Sequence, residues 1–174
     1  MHILITGAAG SGTSALAAAF SAATQSRALE TDDYFWRPSD PPYREKYDED
    51  ERCPALLKDL RSSPRAVVAG SLIGWGQELE DAFDLVAFLY LPTAIRMARL
   101  QLREERRFGK ADPAFLAWAA QYDAGTAEGR SLERHRHWLK SRKCPVLYLE
   151  GDLSTKDQLG RLLAARRSLT PQTR

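Results

Sequence analysis

The sequence predicts a three-layer α/β sandwich with a five-stranded parallel sheet. Three observations carry that expectation. Five short apolar runs are spread along the chain, segments of helical character lie between them, and a glycine-rich turn joins the first run to the first helix. Strands alternating with helices imply βαβ units, whose crossovers cover both faces of a parallel sheet.

The runs are residues 2–6, 27–30, 65–69, 84–91 and 145–149. All but the second are continuously apolar rather than alternating. A strand covered on both faces by helices reads that way. Among the helices, 13–23 is rich in alanine, the strongest helix former. Segment 50–61 carries Leu56, Leu57 and Leu60, and 93–108 sets Ile95, Ala98 and Leu102 on one face. Segments 114–122 and 130–140 are also expected to be helical, and 157–167 places Leu159, Leu162 and Leu163 on one side. Residues 39–47, rich in proline and charge, are expected to be loop. No repeat or linker divides the chain. Residues 1–169 therefore read as one domain and 170–174 as a flexible tail.

Composition narrows the class. Of the 174 residues, 44% are hydrophobic and 28% charged, the ordinary balance of a soluble globular domain. The formal net charge is only +2, so nothing calls for nucleic acid or an anionic membrane as partner. No segment reaches the roughly 20 apolar residues of a membrane span. The apolar stretch 3–23 has no basic residue before it and is broken by glycines, unlike a secretion signal. The two cysteines, Cys53 and Cys144, form neither a metal-ligand pair nor a disulfide framework, which suits a reducing cytoplasm.

The strongest motif is Gly7-Ala8-Ala9-Gly10-Ser11-Gly12-Thr13-Ser14. It lies between the first strand and the first helix, the context that makes a glycine pattern a phosphate loop. Glycines let backbone N–H groups converge on one concavity, and the following helix adds its unpaired N–H groups and dipole. Ser14 holds the position of the hydroxyl that ligates Mg²⁺. Thr13 stands where the pattern has a lysine, the residue that reaches the β- and γ-phosphates of ATP. A cation from elsewhere is then needed.

Several side chains qualify for the remaining chemistry. Asp32 and Asp33 follow the second strand, where ligands of parallel α/β sheets bind. A carboxylate there can orient an acceptor hydroxyl, take its proton or reach Mg²⁺ through water, or it can simply cap a short helix. Arg96, Arg99, Arg103 and Arg106 or Arg107 recur at helical spacing, as a phosphate-binding stripe or as a charged face paired with Glu104 and Glu105. Arg130, Arg134 and Arg136 fall on a later helical segment, Arg130 and Arg134 one turn apart, and either close over the phosphates from the other side of a lid or form a charged surface face. Tyr34, Phe35, Trp36, Tyr43 and Tyr47 either stack on an acceptor or plug the base of a loop. Gly70-Ser71 and Gly74-Trp75-Gly76 are placed in the same cleft. His135 and His137 point in different directions on a helix and make no zinc site.

With the loop in hand, the chain resembles the adenylate-kinase-like and shikimate-kinase-like small kinases. Thr31-Asp32-Asp33-Tyr34 sits where such kinases place acidic acceptor or metal residues. Leu89-Tyr90-Leu91-Pro92 followed by Arg99-Leu100-Gln101-Leu102-Arg103 is similar to the strand and RLxxR signature that opens their lid. Leu149-Glu150-Gly151-Asp152 with Ser154 resembles the turn beside the adenine. The chain also looks like bacterial proteins labelled AAA-family ATPases or adenylate kinases that share the Gly-Thr-Ser/Thr loop. The resemblance departs at Ala69-Gly70, where nucleoside-monophosphate kinases carry Asp-Gly.

That resemblance implies strand order 2-3-1-4-5, a lid over about 103–137, and ATP-dependent phosphoryl transfer to a nucleoside monophosphate, nucleoside or small metabolite. ATP and Mg²⁺ would be the cofactors. Residues 7–14 and Asp152 would hold the nucleotide, and Ser14 and Asp32 the metal. Asp32, Asp33, Arg99, Arg103 and Arg107 would do the chemistry. Tyr34, Trp36, Gly70, Ser71, Trp75, Arg130 and Arg134 would face the acceptor. The other reading is a nucleotide-binding ATPase or sensor with little kinase activity, favoured by Thr13 and by the absent aspartate.

Overall fold

A computed structural model describes residues 1–126 and 129–169. The expected tail, 170–174, lies outside the described residues, as do positions 127 and 128 within the expected lid. In chain order the elements are β1 (His2–Gly7), α1 (Thr13–Thr24), β2 (Arg27–Glu30), α2 (Thr31–Phe35), α3 (Glu49–Arg61), β3 (Ala66–Ala69) and α4 (Gln77–Glu80). Then come β4 (Leu85–Tyr90), α5 (Thr93–Phe108), α6 (Pro113–Ala120), α7 (Leu132–Lys140), β5 (Val146–Glu150) and α8 (Thr155–Leu169).

All five strands pair in parallel, in the order β2-β3-β1-β4-β5. β1 is therefore central, and every strand ends on the same side of the sheet. Alternate side chains of each strand enter different cores. Leu4, Leu29, Val68, Val86 and Phe88 pack with Leu56, Leu57 and Leu60 of α3 and Trp138 and Leu139 of α7. Ile3, Ile5, Val67, Leu85, Ala87 and Leu149 pack with Leu16, Ala17 and Phe20 of α1 and Leu162 of α8. Two cores on opposite faces explain the continuous apolar runs and give the three layers. No helix among the described residues is long and apolar enough to cross a membrane.

Helix ends follow local chemistry. Asp48 and Glu51 form a capping box at the start of α3. The Asp112 carboxylate accepts from the Ala114 N–H, with Pro113 at the first position of α6. The Ser131 hydroxyl accepts from the Arg134 N–H, so α7 begins at Leu132. Arg130 thus precedes the helix rather than sharing a face with Arg134, contrary to the expected start at 130.

One other expectation is corrected, and two short elements join those read from the sequence. Short helices α2 and α4 follow β2 and β3; at five and four residues they are too short to produce a periodic signal. On α5 the buried residues are Arg96, Leu100 and Glu104, whereas Leu102 is exposed. The apolar face read from the sequence is displaced because an arginine, not a leucine, occupies the inward position.

Candidate functional site

The glycine-rich loop runs from the carboxyl end of the central strand into α1. Gly10 adopts φ +82°, and a Cβ there would lie 2.9 Å from both the Arg96 carbonyl oxygen and Leu100 Cγ. The loop is therefore pressed against α5, and only glycine fits at that contact. No side chain caps α1 at Gly12, so the N–H groups of its first turn have no such partner. The Ser11 hydroxyl is buried without a hydrogen-bond partner among the described residues. Uncapped N–H groups at a helix start suit an anion, whereas the Ser11 hydroxyl is enclosed beside Gly7.

Behind the loop the polar groups are satisfied. Arg96 is fully buried. Its Nη1 donates to the Ala9 carbonyl of the loop at 3.2 Å and to the Ala119 carbonyl at 3.3 Å, and its Nε donates to the Leu91 carbonyl at 3.0 Å. Its Nη2 donates to Thr93 Oγ1 and lies 3.5 Å from Asp123 Oδ1. Its guanidinium also stands over the Tyr122 ring. His135, equally buried, places Nε2 3.3 Å from Thr6 Oγ1 and Nδ1 2.8 Å from the Tyr122 hydroxyl. Burial, reinforced by the charge of Arg130, lowers the His135 pKa to about 4. Arg96, read from the sequence as part of a phosphate-facing stripe, thus braces the loop from the rear.

The front of the loop carries acidic groups. Ser14 Oγ donates to Glu30 Oε2 at 2.9 Å. Glu30 ends β2 and pairs in register with Ala69 of β3. The carboxylate absent from the end of β3 is therefore matched by one at the same level on the adjacent strand. Burial pushes the Glu30 pKa up, the Ser14 hydrogen bond opposes this, and the charges of Asp32 and Asp33 add to the rise. Asp32 and Asp33 occupy the exposed first turn of α2. Glu30 was not singled out in the sequence. Its signal was the missing acid after β3 combined with a parallel register that only the sheet reveals. A hydroxyl beside carboxylates is a suitable donor set for Mg²⁺, which takes oxygen ligands and keeps water. Among the described residues, no group of three or more His, Cys, Asp or Glu is arranged to hold a metal unaided.

The remaining arginines separate by partner. Arg99 pairs with Asp152 at 2.6 Å, bringing together the expected phosphate and adenine residues, both largely exposed. Arg103 pairs with Glu104 at 2.9 Å. Arg107 donates to the Tyr43 hydroxyl at 3.1 Å, linking the end of α5 to the loop after α2. Arg134 donates to the Gly129 carbonyl at 2.9 Å. Arg130 differs. It lines a small cavity with Ala8, Ala9, Trp118, Ala119 and Tyr122, and its guanidinium lies 5.5 Å from the centre of the Trp118 ring.

On the acceptor side, the Tyr34 hydroxyl donates to Asp59 Oδ2 at 2.6 Å, which ties α2 to α3. Trp75 is buried and stacks on Phe35 at 6.2 Å, while Trp36 meets Phe35 and Tyr43 edge-on. Arg52, missed in the sequence, lies 4.9 Å from both the Phe35 and Trp75 rings. The aromatic group therefore packs largely on itself. Gly70 has φ +124°, and a Cβ would fall 1.8 Å from Thr31 Oγ1. The ends of β3 and β2 are thus held close, with Ser71 following on the same edge.

No protein-family model matches the chain. The same fold occurs in a gluconokinase from Sinorhizobium meliloti 1021, with TM-score 0.59 and 18% identity over 97% of this chain and 92% of that one. It also occurs in the shikimate kinase of Bacteroides thetaiotaomicron, with TM-score 0.62 and 13% identity over 96% and 98%. In sequence, the chain is 38% identical over 173 residues to the Bacillus subtilis (strain 168) protein described as "Uncharacterized protein YqaC", with 94% of each chain covered. That identity over nearly the full length of both proteins places the chain in the YqaC family.

Proposed function

We propose that the protein transfers the γ-phosphoryl group of ATP to a hydroxyl or phosphate oxygen of a small acceptor. The observation that carries this reading is the Ser14–Glu30 hydrogen bond at the mouth of the glycine-rich loop. It sets a metal-ligating hydroxyl and a carboxylate beside a row of backbone donors. Residues 1–169 form one kinase-like domain in this reading, with 103–137 as its lid, working on ATP in the cytoplasm.

The backbone of residues 7–14 holds the ATP phosphates, and Asp152 lies on the adenine side. Ser14 and Glu30, with Asp32 through water, hold Mg²⁺. When bound, the metal neutralises charge on the β- and γ-phosphates. Asp32 or Asp33 orients the acceptor and takes its proton. The acceptor oxygen bonds to the γ-phosphorus as the bond to the bridging oxygen breaks, and ADP leaves. Arg99, Arg103 and Arg107 converge on the transferring group once their surface partners exchange for phosphate. The segment with Trp36, Gly70, Ser71 and Trp75 forms the acceptor floor, and Tyr34 positions α2 through Asp59.

The test is ADP release from Mg²⁺-ATP with and without a pool of nucleoside monophosphates, nucleosides and small metabolites. Release that depends on the pool is expected. Glu30→Gln should lower kcat by orders of magnitude and weaken Mg²⁺ dependence. It should leave the protein at least as stable, because a raised carboxyl pKa makes the ionised form costly in the fold. The second reading, a nucleotide-binding ATPase or sensor with little kinase activity, is favoured by Thr13 and by Ala69 in place of an aspartate at the end of β3. It gains if ATP binds but the pool changes nothing.

A further inference from the structure

Thr13 leaves a charge to be supplied at the phosphate loop. Arg99, Arg103, Arg107 and Arg134 each already have a hydrogen-bonding partner in the structure, and Arg96 has its donors occupied behind the loop. Among the described residues Arg106, Arg130 and Arg136 make no side-chain hydrogen bond or ion pair, but Arg136 lines a separate pocket with Asp123, Glu133 and His137, and of the three it is Arg130 that borders the loop. Its guanidinium rests on the Trp118 ring and lines the cavity bordered by Ala8 and Ala9 of the loop. It is only half-exposed, so its charge is partly shielded from water. Burial lowers its pKa, and the negative charge of Asp32, reaching it across the site, opposes that shift. Guanidinium remains charged under such conditions.

We infer that Arg130 takes the place of the phosphate-loop lysine: it is the group that contacts the terminal phosphates of the bound nucleotide. This rests on the phosphoryl-transfer reading above. A cation without a counter-ion among the described residues, beside a loop that leads into the uncapped start of α1, has an anion as its natural partner. A guanidinium 5.5 Å from the centre of an indole ring is partly oriented before the anion arrives. Trp118 and Tyr122 line the same small cavity that Ala8 and Ala9 of the loop border. The fork comes from the segment before α7, whereas a lysine at position 13 would come from α1 itself.

The experiment compares the wild type with Arg130→Ala, Arg130→Lys, Thr13→Lys and the double variant Thr13→Lys/Arg130→Ala. Affinities for ADP and ATP are measured by calorimetry without acceptor, alongside kcat and the unfolding temperature. Arg130→Ala should keep the wild-type unfolding temperature and weaken ATP binding about ten- to hundredfold, with a smaller loss for ADP. Its kcat should fall about a thousandfold. Arg130→Lys, which keeps the charge without the fork, should lie between. Adding Thr13→Lys to Arg130→Ala should recover most of the ATP affinity, because the charge returns to the same phosphates from the other side. Unchanged ATP affinity and turnover in Arg130→Ala would overturn the inference. So would a double variant no better than Arg130→Ala alone. A wild type that binds no ATP, or binds it without acceptor-dependent ADP release, would instead overturn the underlying reading.

Discussion

The back and the front of the glycine-rich loop are built by opposite rules. At the back, Arg96 and His135 are fully buried and each finds polar partners on several elements. At the front, Glu30 stands against two like charges, and Arg130 has no hydrogen bond or ion pair among the described residues. Satisfied buried groups contribute rigidity and specify one loop conformation. Unsatisfied ones hold interaction capacity for a ligand. The same residue type, arginine, serves both sides, and only its partners tell which.

The largest effect should come from the back. Arg96→Ala removes the guanidinium that joins the loop carbonyl of Ala9 to Leu91, Ala119 and Asp123. Breaking a buried charged network costs about 3–5 kcal/mol. A urea midpoint well below wild type is expected, with nucleotide affinity lost along with the fold. If Arg96→Ala instead stays folded and loses only turnover, the division between bracing and working arginines fails.

His135 provides a smaller and pH-dependent version of the same test. Its folded pKa is near 4, below the ordinary value of 6.5. Between those values the unfolded chain binds a proton that the folded protein refuses, so stability falls as pH drops from about 6.5 towards 4. The loss by pH 4 should be about 3 kcal/mol, from a shift of roughly two and a half units. His135→Gln keeps a polar side chain between Thr6 and Tyr122 without a titrating group. Chemical denaturation at pH 7 and pH 4.5 should show a much reduced acid loss in that variant. An equal loss in both proteins would place the acid sensitivity elsewhere.

The front and back also differ in how far the sequence discloses them. The strands, the loop and the strand order follow from apolar runs, glycine spacing and the resemblance those carry. Periodicity is a statement about neighbours on one element, and it served there. It misplaced Arg96 because a pattern of arginines at helical spacing has no mark for the one whose donors are claimed by carbonyls of other segments. It passed over Glu30 because β2 and β3 are far apart in sequence, and their register alone sets the Glu30 carboxylate opposite Ala69. It listed Arg130 with Arg134 on one helix face, whereas the Ser131 cap starts the helix after Arg130 and frees it to lie against Trp118. Structure that depends on a single chain segment was legible, and contacts assembled between segments were not.

The smallest effect on stability, and the sharpest on the comparison, concerns Arg99 and Asp152. Their side chains are 43% and 57% exposed, and the pair is 2.6 Å apart. An exposed ion pair is worth under about 1 kcal/mol, so Arg99→Ala and Asp152→Ala should each leave the thermal midpoint nearly unmoved. Their kinetics should differ. If Arg99 releases Asp152 to meet phosphate, Arg99→Ala lowers kcat with little change in KM for ATP, because an interaction made only in the transition state is lost. Asp152→Ala, acting on the nucleotide side, should raise KM for ATP and leave kcat closer to wild type. Two variants with unaltered kinetics would make this pair a surface contact, and the charge work of the front would then fall to Arg130, Arg103 and Arg107.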